Sequence, residues 1–338
     1  MKNLLNNKKI LITGGAGFIG SNLCHYFVQQ NDVICLDNLS TGKLENIQEL
    51  ILNERFTFIA GDLRNIDVCM EATKGVDIIL HQAALGSVPR SIKTPLDTNA
   101  NNVTGFLNII EAARINNVKR IVFATSSSVY GDHPALPKKE DVIGKPLSPY
   151  AVTKQVNELY ANVYGQLFDM EIIGLRYFNV YGPKQDPNRA YAAVIPKFIA
   201  QMIDGIPVKV NGDGNQTRDF TYIEDVIQAN ELAASTMNRE AFNNVFNISF
   251  GNSISLNNLI ETMSNLLVAH DNSIPKARIE FGPKRIGDIE HSYASIEKAQ
   301  AILGYTPNYP LIKGLDECLN YLSKHKNHSK DKVSNRFK

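Results

Sequence analysis

Apolar runs of strand length recur through the first half of the chain, at 9–13, 33–37, 56–60, 77–81, 120–125 and 171–176. They lack the alternation of a strand that shows one face to water, so they read as strands covered on both sides. Between them lie stretches with helical spacing, at 19–30, 103–116 and 150–168. Strand and helix in alternation predict βαβ units, and right-handed crossovers make a doubly wound α/β (Rossmann), mostly parallel sheet the default. Past Asn179 the rhythm breaks into loops rich in Gly, Pro and Asn, with isolated strands and helices of mixed polarity. The expected organisation is a sheet domain over 1–180, to which a later strand near 244–249 returns, and a smaller C-terminal lobe over 181–323. The polar, basic stretch 324–338 is expected to be a disordered tail.

Composition narrows the function classes. The 338 residues carry 35 Lys and Arg against 34 Asp and Glu, a net charge of +1. That balance supplies no electrostatic reason for nucleic acid or an anionic membrane as partner. No stretch approaches the ~18 consecutive apolar residues of a membrane span, and residues 1–9 are too short and polar for a signal peptide. A cytoplasmic location is the expectation. The four cysteines (Cys24, Cys35, Cys69, Cys318) have no CxxC spacing and the seven histidines form no cluster, so neither a disulfide framework nor a metal site is expected.

The first chemical signal follows the first strand. Gly14-Gly15-Ala16-Gly17-Phe18-Ile19-Gly20 opens a helix and contains GxGxxG as Gly15, Gly17 and Gly20. Glycines allow the tight turn and the approach of the backbone to a pyrophosphate, while the helix N-terminus presents free N–H groups to it. Asp37 ends the second strand about 20 residues on, where a carboxylate accepts from a ribose diol and repels a 2′-phosphate. With Asn38 next and no arginine at hand, NAD is preferred to NADP. Asp62 after the third strand can read an adenine amino group. His81 ends the fourth strand and reads as hydrogen-bonded structure, not as a catalyst.

A second signal is Ser148-Pro149-Tyr150-Ala151-Val152-Thr153-Lys154, which starts a helix and places Tyr150 and Lys154 at i and i+4 on one face. A phenol with pKa near ~10 is a poor base at neutral pH, but a nearby ammonium and a cationic nicotinamide favour its phenolate. Ser126-Ser127-Ser128 follows the fifth strand at the edge where doubly wound sheets bind ligands. A hydroxyl there can hydrogen-bond the reacting oxygen and share its proton with Tyr150.

On these motifs, and on Asn102 to Gly105, Tyr130 to Pro137, Leu175 to Gly182, Ala190 to Pro196, Arg218-Asp219-Phe220 and Arg285 to Asp288, the chain resembles the extended short-chain dehydrogenase/reductase superfamily over 8–322. Within it the wording is closest to bacterial 4-epimerases of UDP-N-acetylglucosamine and UDP-N-acetylgalactosamine that feed surface-polysaccharide synthesis. The resemblance implies that Tyr150 takes the proton of the sugar 4-hydroxyl, Ser126 assists, Lys154 tunes Tyr150, and hydride passes to tightly held NAD and returns to the other face of a 4-keto sugar. It implies a cofactor set of Gly14, Gly17, Phe18, Ile19, Gly20, Asp37, Asn38, Asp62, Leu63, Gln82, Ala83, Ala84, Asn102, Tyr150, Lys154 and Tyr177. The implied substrate set is Gly86, Ser87, Ser126, Ser127, Tyr150, Asn179, Arg218, Arg285, Asp288 and Ser292, with Asn179 and the two arginines on the diphosphate and Asp288 on a ribose.

A 4,6-dehydratase is disfavoured, because dehydratases resemble one another in carrying Asp-Glu after the fifth-strand Thr or Ser, and here Thr125 is followed by serines. UDP-glucuronate or UDP-glucose 4-epimerase is the alternative, and a non-catalytic NAD-binding regulator is the alternative of another class. Ser292 aligns with the position at which relatives restricted to unacetylated sugars carry Tyr, so a small residue implies room for an acetamido group. A homodimer through the Tyr150 and Val103 helices is expected, as in relatives.

Overall fold

A computed structural model describes residues 4–187, 193–284 and 290–334. The strands in chain order are β1 (Lys9–Thr13), β2 (Asp32–Asp37), β3 (Phe56–Ala60), β4 (Ile78–His81), β5 (Arg120–Ser126), β6 (Glu171–Tyr177), β7 (Val180–Tyr181), β8 (Val208–Asn211), β9 (Thr217–Asp219), β10 (Thr221–Tyr222), β11 (Val245–Ile248), β12 (Ser253–Ser255) and β13 (Ile279–Gly282). The helices are α1 (Phe18–Phe27), α2 (Ile66–Ala72), α3 (Val88–Lys93), α4 (Pro95–Asn99), α5 (Gly105–Ile115), α6 (Pro149–Phe168), α7 (Val194–Ile203), α8 (Ile223–Ser235), α9 (Leu256–His270), α10 (Glu297–Leu303) and α11 (Leu311–Ser334).

Seven strands form one sheet in the order β11-β6-β5-β4-β1-β2-β3, every neighbouring pair parallel. The order reverses between β1 and β4, and the carboxyl ends of those strands frame the crevice where a doubly wound sheet takes its ligand. The double-sided apolar pattern has its cause in the packing. In β1, Ile10 and Ile12 join the core that includes residues of α1 and α8, while Leu11 between them joins the core that includes residues of α2 and α5. Val122 and Ala124 of β5 point to the first core, and Ile121 and Phe123 to the second.

The strand expected near 244–249 is β11, which returns to pair with β6 from Val245↔Gly174 to Ile248↔Tyr177. The remaining strands form three two-stranded ribbons, β7 with β10, β9 with β12 and β8 with β13. The last helix, α11, runs to Ser334. Its first turns are nucleated by the buried Leu315, Cys318 and Leu319, and once nucleated a helix adds a hydrogen bond for each further residue. Among the described residues no helix is long and apolar enough to cross a membrane.

Candidate active site

The Gly-rich turn is shaped by close backbone contact. Gly14 has φ +68°, and a Cβ there would stand 2.7 Å from the Ala83 Cα; one at Gly20 would stand 2.2 Å from the Gly14 carbonyl oxygen. Only glycine allows β1, the start of α1 and the end of β4 to meet so closely. No side chain caps α1, so its first N–H groups remain open to an anion. Beside the turn the Asp37 carboxylate accepts from Ala16 N at 3.0 Å and Leu39 N at 2.8 Å. These bonds aim the carboxylate toward the cavity edge.

A cavity of about 310 Å³ runs along this edge, lined by Gly14, Gly17, Phe18, Ile19, Gly20, Asp37, Asn38, Asp62, Leu63, Gln82, Ala83, Ala84, Gly86 and Ser87 among others. It collects the expected cofactor residues of the first four strand ends, and with them the expected substrate residues Gly86 and Ser87. The Gly cradle, the open helix end and the aimed carboxylate fit NAD. Asp62 is less free than the sequence suggests: Arg64 grips it with Nε and Nη2, Asn38 donates to it at 3.0 Å, and these bonds hold its carboxyl well below the usual range.

Two expected cofactor residues do other work. Asn102 is 1% exposed and spends its amide on Leu85 N at 2.8 Å, Leu85 O at 3.5 Å and Thr153 Oγ1 at 3.1 Å, pinning the 82–87 loop to α6. It sits in a π-helical turn, Ala100–Thr104, that joins α4 to α5. Tyr177 donates to Gln82 Oε1 at 3.2 Å and accepts from Asn230 Nδ2 at 2.8 Å, while Gln82 Nε2 donates to Asn230 Oδ1 at 3.1 Å. This closed ring fixes Gln82 at the cavity wall. His81 is structural as expected: its Nδ1 pairs with Thr13 Oγ1 at 2.9 Å, its ring meets Phe106 edge-on, and burial lowers its pKa to about 3.

The catalytic candidates meet at the carboxyl end of β5. Ser148 caps α6, its hydroxyl accepting from Ala151 N at 3.2 Å, with Pro149 in the first turn, and so sets where Tyr150 projects. The Tyr150 phenol stands beside the Ser126 hydroxyl, which favours its ionised form. Ser126 Oγ already accepts from Ser128 N at 3.1 Å, which leaves its own proton for the phenol, and Ser127 follows in the short turn Ser127–Tyr130. Burial raises the Tyr150 pKa and the Ser126 hydroxyl opposes the rise.

Lys154 is held from the sheet side. Its ammonium, 2% exposed, donates to the Ala124 carbonyl at 2.8 Å and not to the phenol. Desolvation lowers its pKa to about 8, against the pull of Glu158 one turn on. Glu158 is a residue the sequence reading missed. It accepts from Thr125 Oγ1 at 2.7 Å and from Arg176 Nε and Nη2 at 3.0 and 2.8 Å, so β5, β6 and α6 are tied directly behind the lysine. Its signal was the spacing i, i+4, i+8 from Tyr150 on one helix face.

A second cavity of about 270 Å³ contains Asn179 and Arg218 together with Lys197, Lys209, Gln216 and Phe220, and Ala193 lines both cavities. Lys197 and Lys209 carried no motif and went unnoticed. Asn179 Nδ2 donates to Asp219 O at 2.9 Å, and Arg218 Nη1 to Thr217 O at 2.8 Å and Glu290 O at 3.2 Å. Ser292 is 7% exposed, its N–H on Thr217 O at 3.1 Å, so it packs beside β9 and is no open loop residue. Arg285, Asp288 and residues 190–192 of the motif from Ala190 to Pro196 lie outside the described residues.

Comparison with known proteins accords with this arrangement. The chain is 34% identical over 316 residues to a UDP-glucose 4-epimerase of Mycolicibacterium smegmatis, covering 93% of this chain and 98% of the relative. Its fold is similar, with TM-score 0.88 and 37% identity over 95% of this chain and all of the other, to the UDP-N-acetylglucosamine 4-epimerase of Methanobrevibacter ruminantium solved with UDP-N-acetylmuramic acid. It is similar as well to the UDP-glucuronic acid 4-epimerase of Bacillus cereus solved with UDP-glucuronic acid and NAD, with TM-score 0.84, 34% identity and 94% and 99% coverage. The model of the NAD dependent epimerase/dehydratase family matches residues 10–249. A phosphate-ready glycine turn, a tyrosine beside Ser126 and a matching family model that covers both place the chain in the NAD-dependent epimerase/dehydratase family.

Proposed function

We propose that this enzyme is a UDP-sugar 4-epimerase that interconverts UDP-N-acetylglucosamine and UDP-N-acetylgalactosamine. What supports the choice of sugar is Ser292, a small buried residue beside the Arg218 strand, at the position where the resemblance to 4-epimerases implies room for an acetamido group. The cation-rich second cavity suits the uridine diphosphate: Arg218 supplies a planar fork for phosphate, and Lys197 and Lys209 point charges. Gly86 and Ser87 of the first cavity, with Ser126 and Ser127, are then assigned to the sugar.

Tyr150, ionised, takes the proton of the 4-hydroxyl while Ser126 holds the same oxygen. NAD, held by Gly14, Gly17, Gly20 and Asp37, would supply the hydride acceptor and donor for carbon 4. Tyr150 gives its proton back on the return, so atoms and electrons balance with no net oxidation. Because burial lifts the phenol and Lys154 is turned to Ala124, ionisation of Tyr150 relies on the positive nicotinamide and on Ser126. The assembled Tyr150, Ser126 and Lys154 favour an enzyme over a non-catalytic regulator.

The protein is further proposed to be a homodimer through α6, whose outer face leaves Val152, Leu159, Val163 and Leu167 exposed at 45%, 60%, 45% and 69%. Incubation with a panel of acetylated, unacetylated and uronic-acid UDP-hexoses, without added NAD, tests the function. The acetylated pair should reach equilibrium fastest. Faster turnover of UDP-glucuronate or UDP-glucose would transfer the assignment to that substrate.

A further inference from the structure

The cofactor cavity is bounded on one side by the Gly-rich turn and on another by residues just after β7, because Lys184, Gln185 and Asp186 line it together with Gly14 and Gly17. This segment is tied to the loop that follows β2. Lys43 Nζ stands 2.5 Å from Asp186 Oδ2, and Lys184 Nζ donates to Asn46 O at 2.8 Å. The receiving loop is in turn fixed to the glycine turn, with Lys43 N at 3.0 Å and Asn46 Nδ2 at 2.9 Å from the single carbonyl of Ala16. Asn22 of α1 holds the other end of the crossing segment by donating to Pro183 O at 3.3 Å. A dinucleotide whose pyrophosphate meets the start of α1 therefore lies under a closed loop of contacts that runs from Ala16 through Lys43 and Asp186 back to α1.

We propose that residues 183–186 form a strap over the cofactor, latched by Lys43–Asp186 and Lys184–Asn46, which keeps the dinucleotide from leaving between the two hydride transfers. The inference rests on the reading of the enzyme as an epimerase, since losing the reduced cofactor after the first transfer would strand a keto sugar. Release then requires the latch to open. Lys43 is 50% exposed while Asp186 is 15% exposed, so the ion pair is half-open to water and sensitive to salt.

The test measures how fast holoenzyme loses NAD when an excess of an NAD-hydrolysing glycohydrolase captures every released molecule. Lys43→Gln breaks the latch without altering a residue that lines the cavity, so release at low ionic strength should become about two- to fivefold faster. Wild-type release should approach that of the variant in ~1 M salt. Lys43→Glu with Asp186→Lys should restore slow release, and turnover of Lys43→Gln at saturating NAD should equal that of wild type. Equal release from wild type and Lys43→Gln at low ionic strength, with both carrying NAD, overturns the strap. A protein that carries no dinucleotide overturns the epimerase reading instead, and the two failures are thereby told apart.

Discussion

Tyr150 is pulled two ways, upward by burial and downward by the Ser126 hydroxyl, and the difference determines how readily it accepts a proton. Tyr150→Phe should cut turnover by about 10²–10⁴-fold with little change in UDP-sugar binding. Ser126→Ala should cost less, since it removes an assisting bond and not the base. Wild-type turnover in Tyr150→Phe would refute the mechanism. At Ser292, a Tyr substitution should abolish turnover of the acetylated pair and spare UDP-glucose, the loss being steric and confined to the acetamido group. Equal losses on both pairs would remove Ser292 from the pocket. His81 makes a prediction about acid. Its folded pKa of about 3 lies below the ordinary 6.5, so as pH falls from 6.5 toward 3 the unfolded chain takes up a proton that the folded chain refuses. Stability contributed by the neutral ring is complete above pH 6.5 and declines through that window. Urea midpoints at several pH values should fall less steeply for His81→Gln than for wild type, and an identical slope would discount the histidine.

At the scale of the element, α6 separates its tasks by face. Its inner side carries Tyr150, Lys154 and Glu158 at successive turns, and Glu158 is locked from behind by Thr125 and Arg176. Its outer side carries the apolar stripe that includes Leu159 and Leu167. One rigid helix can thus join two sites to each other and hold each tyrosine in register with its own sheet. Leu159→Glu places a charge in the middle of the stripe, where a paired interface would have to desolvate it. Sedimentation should show the variant as a monomer under conditions where wild type is a dimer. A wild type that sediments as a monomer would leave the stripe as ordinary surface.

For the whole molecule, the joint between sheet and lobe is Asn247 of β11. It is fully buried, accepts from Tyr130 Oη at 2.7 Å, and donates to Lys138 O and Ser295 O, both at 3.0 Å. Lys138 also pairs by backbone with Tyr293 and Ser295, and Asp219 Oδ2 accepts from Ala294 N at 3.3 Å. The chain leaving the Ser126-Ser127-Ser128 run and the chain carrying Ser292 are therefore stitched to each other and to the sheet edge. Asn247→Leu keeps the size but leaves the Tyr130 O–H without its acceptor and the Ser295 carbonyl without its donor, a cost of about 2 kcal/mol or more. The denaturant midpoint should fall accordingly, and an unchanged midpoint would show that the joint is held elsewhere.

Local signals sufficed wherever physics is local. The six strands, the helix starting at Pro149, the glycine turn and Asp37 were legible because burial on both faces, Pro in a first turn and GxGxxG spacing each restrict a short stretch by itself. The i, i+4 relation of Tyr150 and Lys154 was legible for the same reason. Tertiary structure alone decided which partner each polar group takes. Lys154 turns to Ala124, Asn102 pins Leu85, and Tyr177 closes a ring with Gln82 and Asn230, because a buried donor binds whatever acceptor the packing brings within 3 Å or so. Tertiary structure likewise brought Lys197 and Lys209 to the second cavity and set Glu158 behind Lys154. These outcomes depend on contacts between segments far apart in the chain, and no spacing along one segment encodes them.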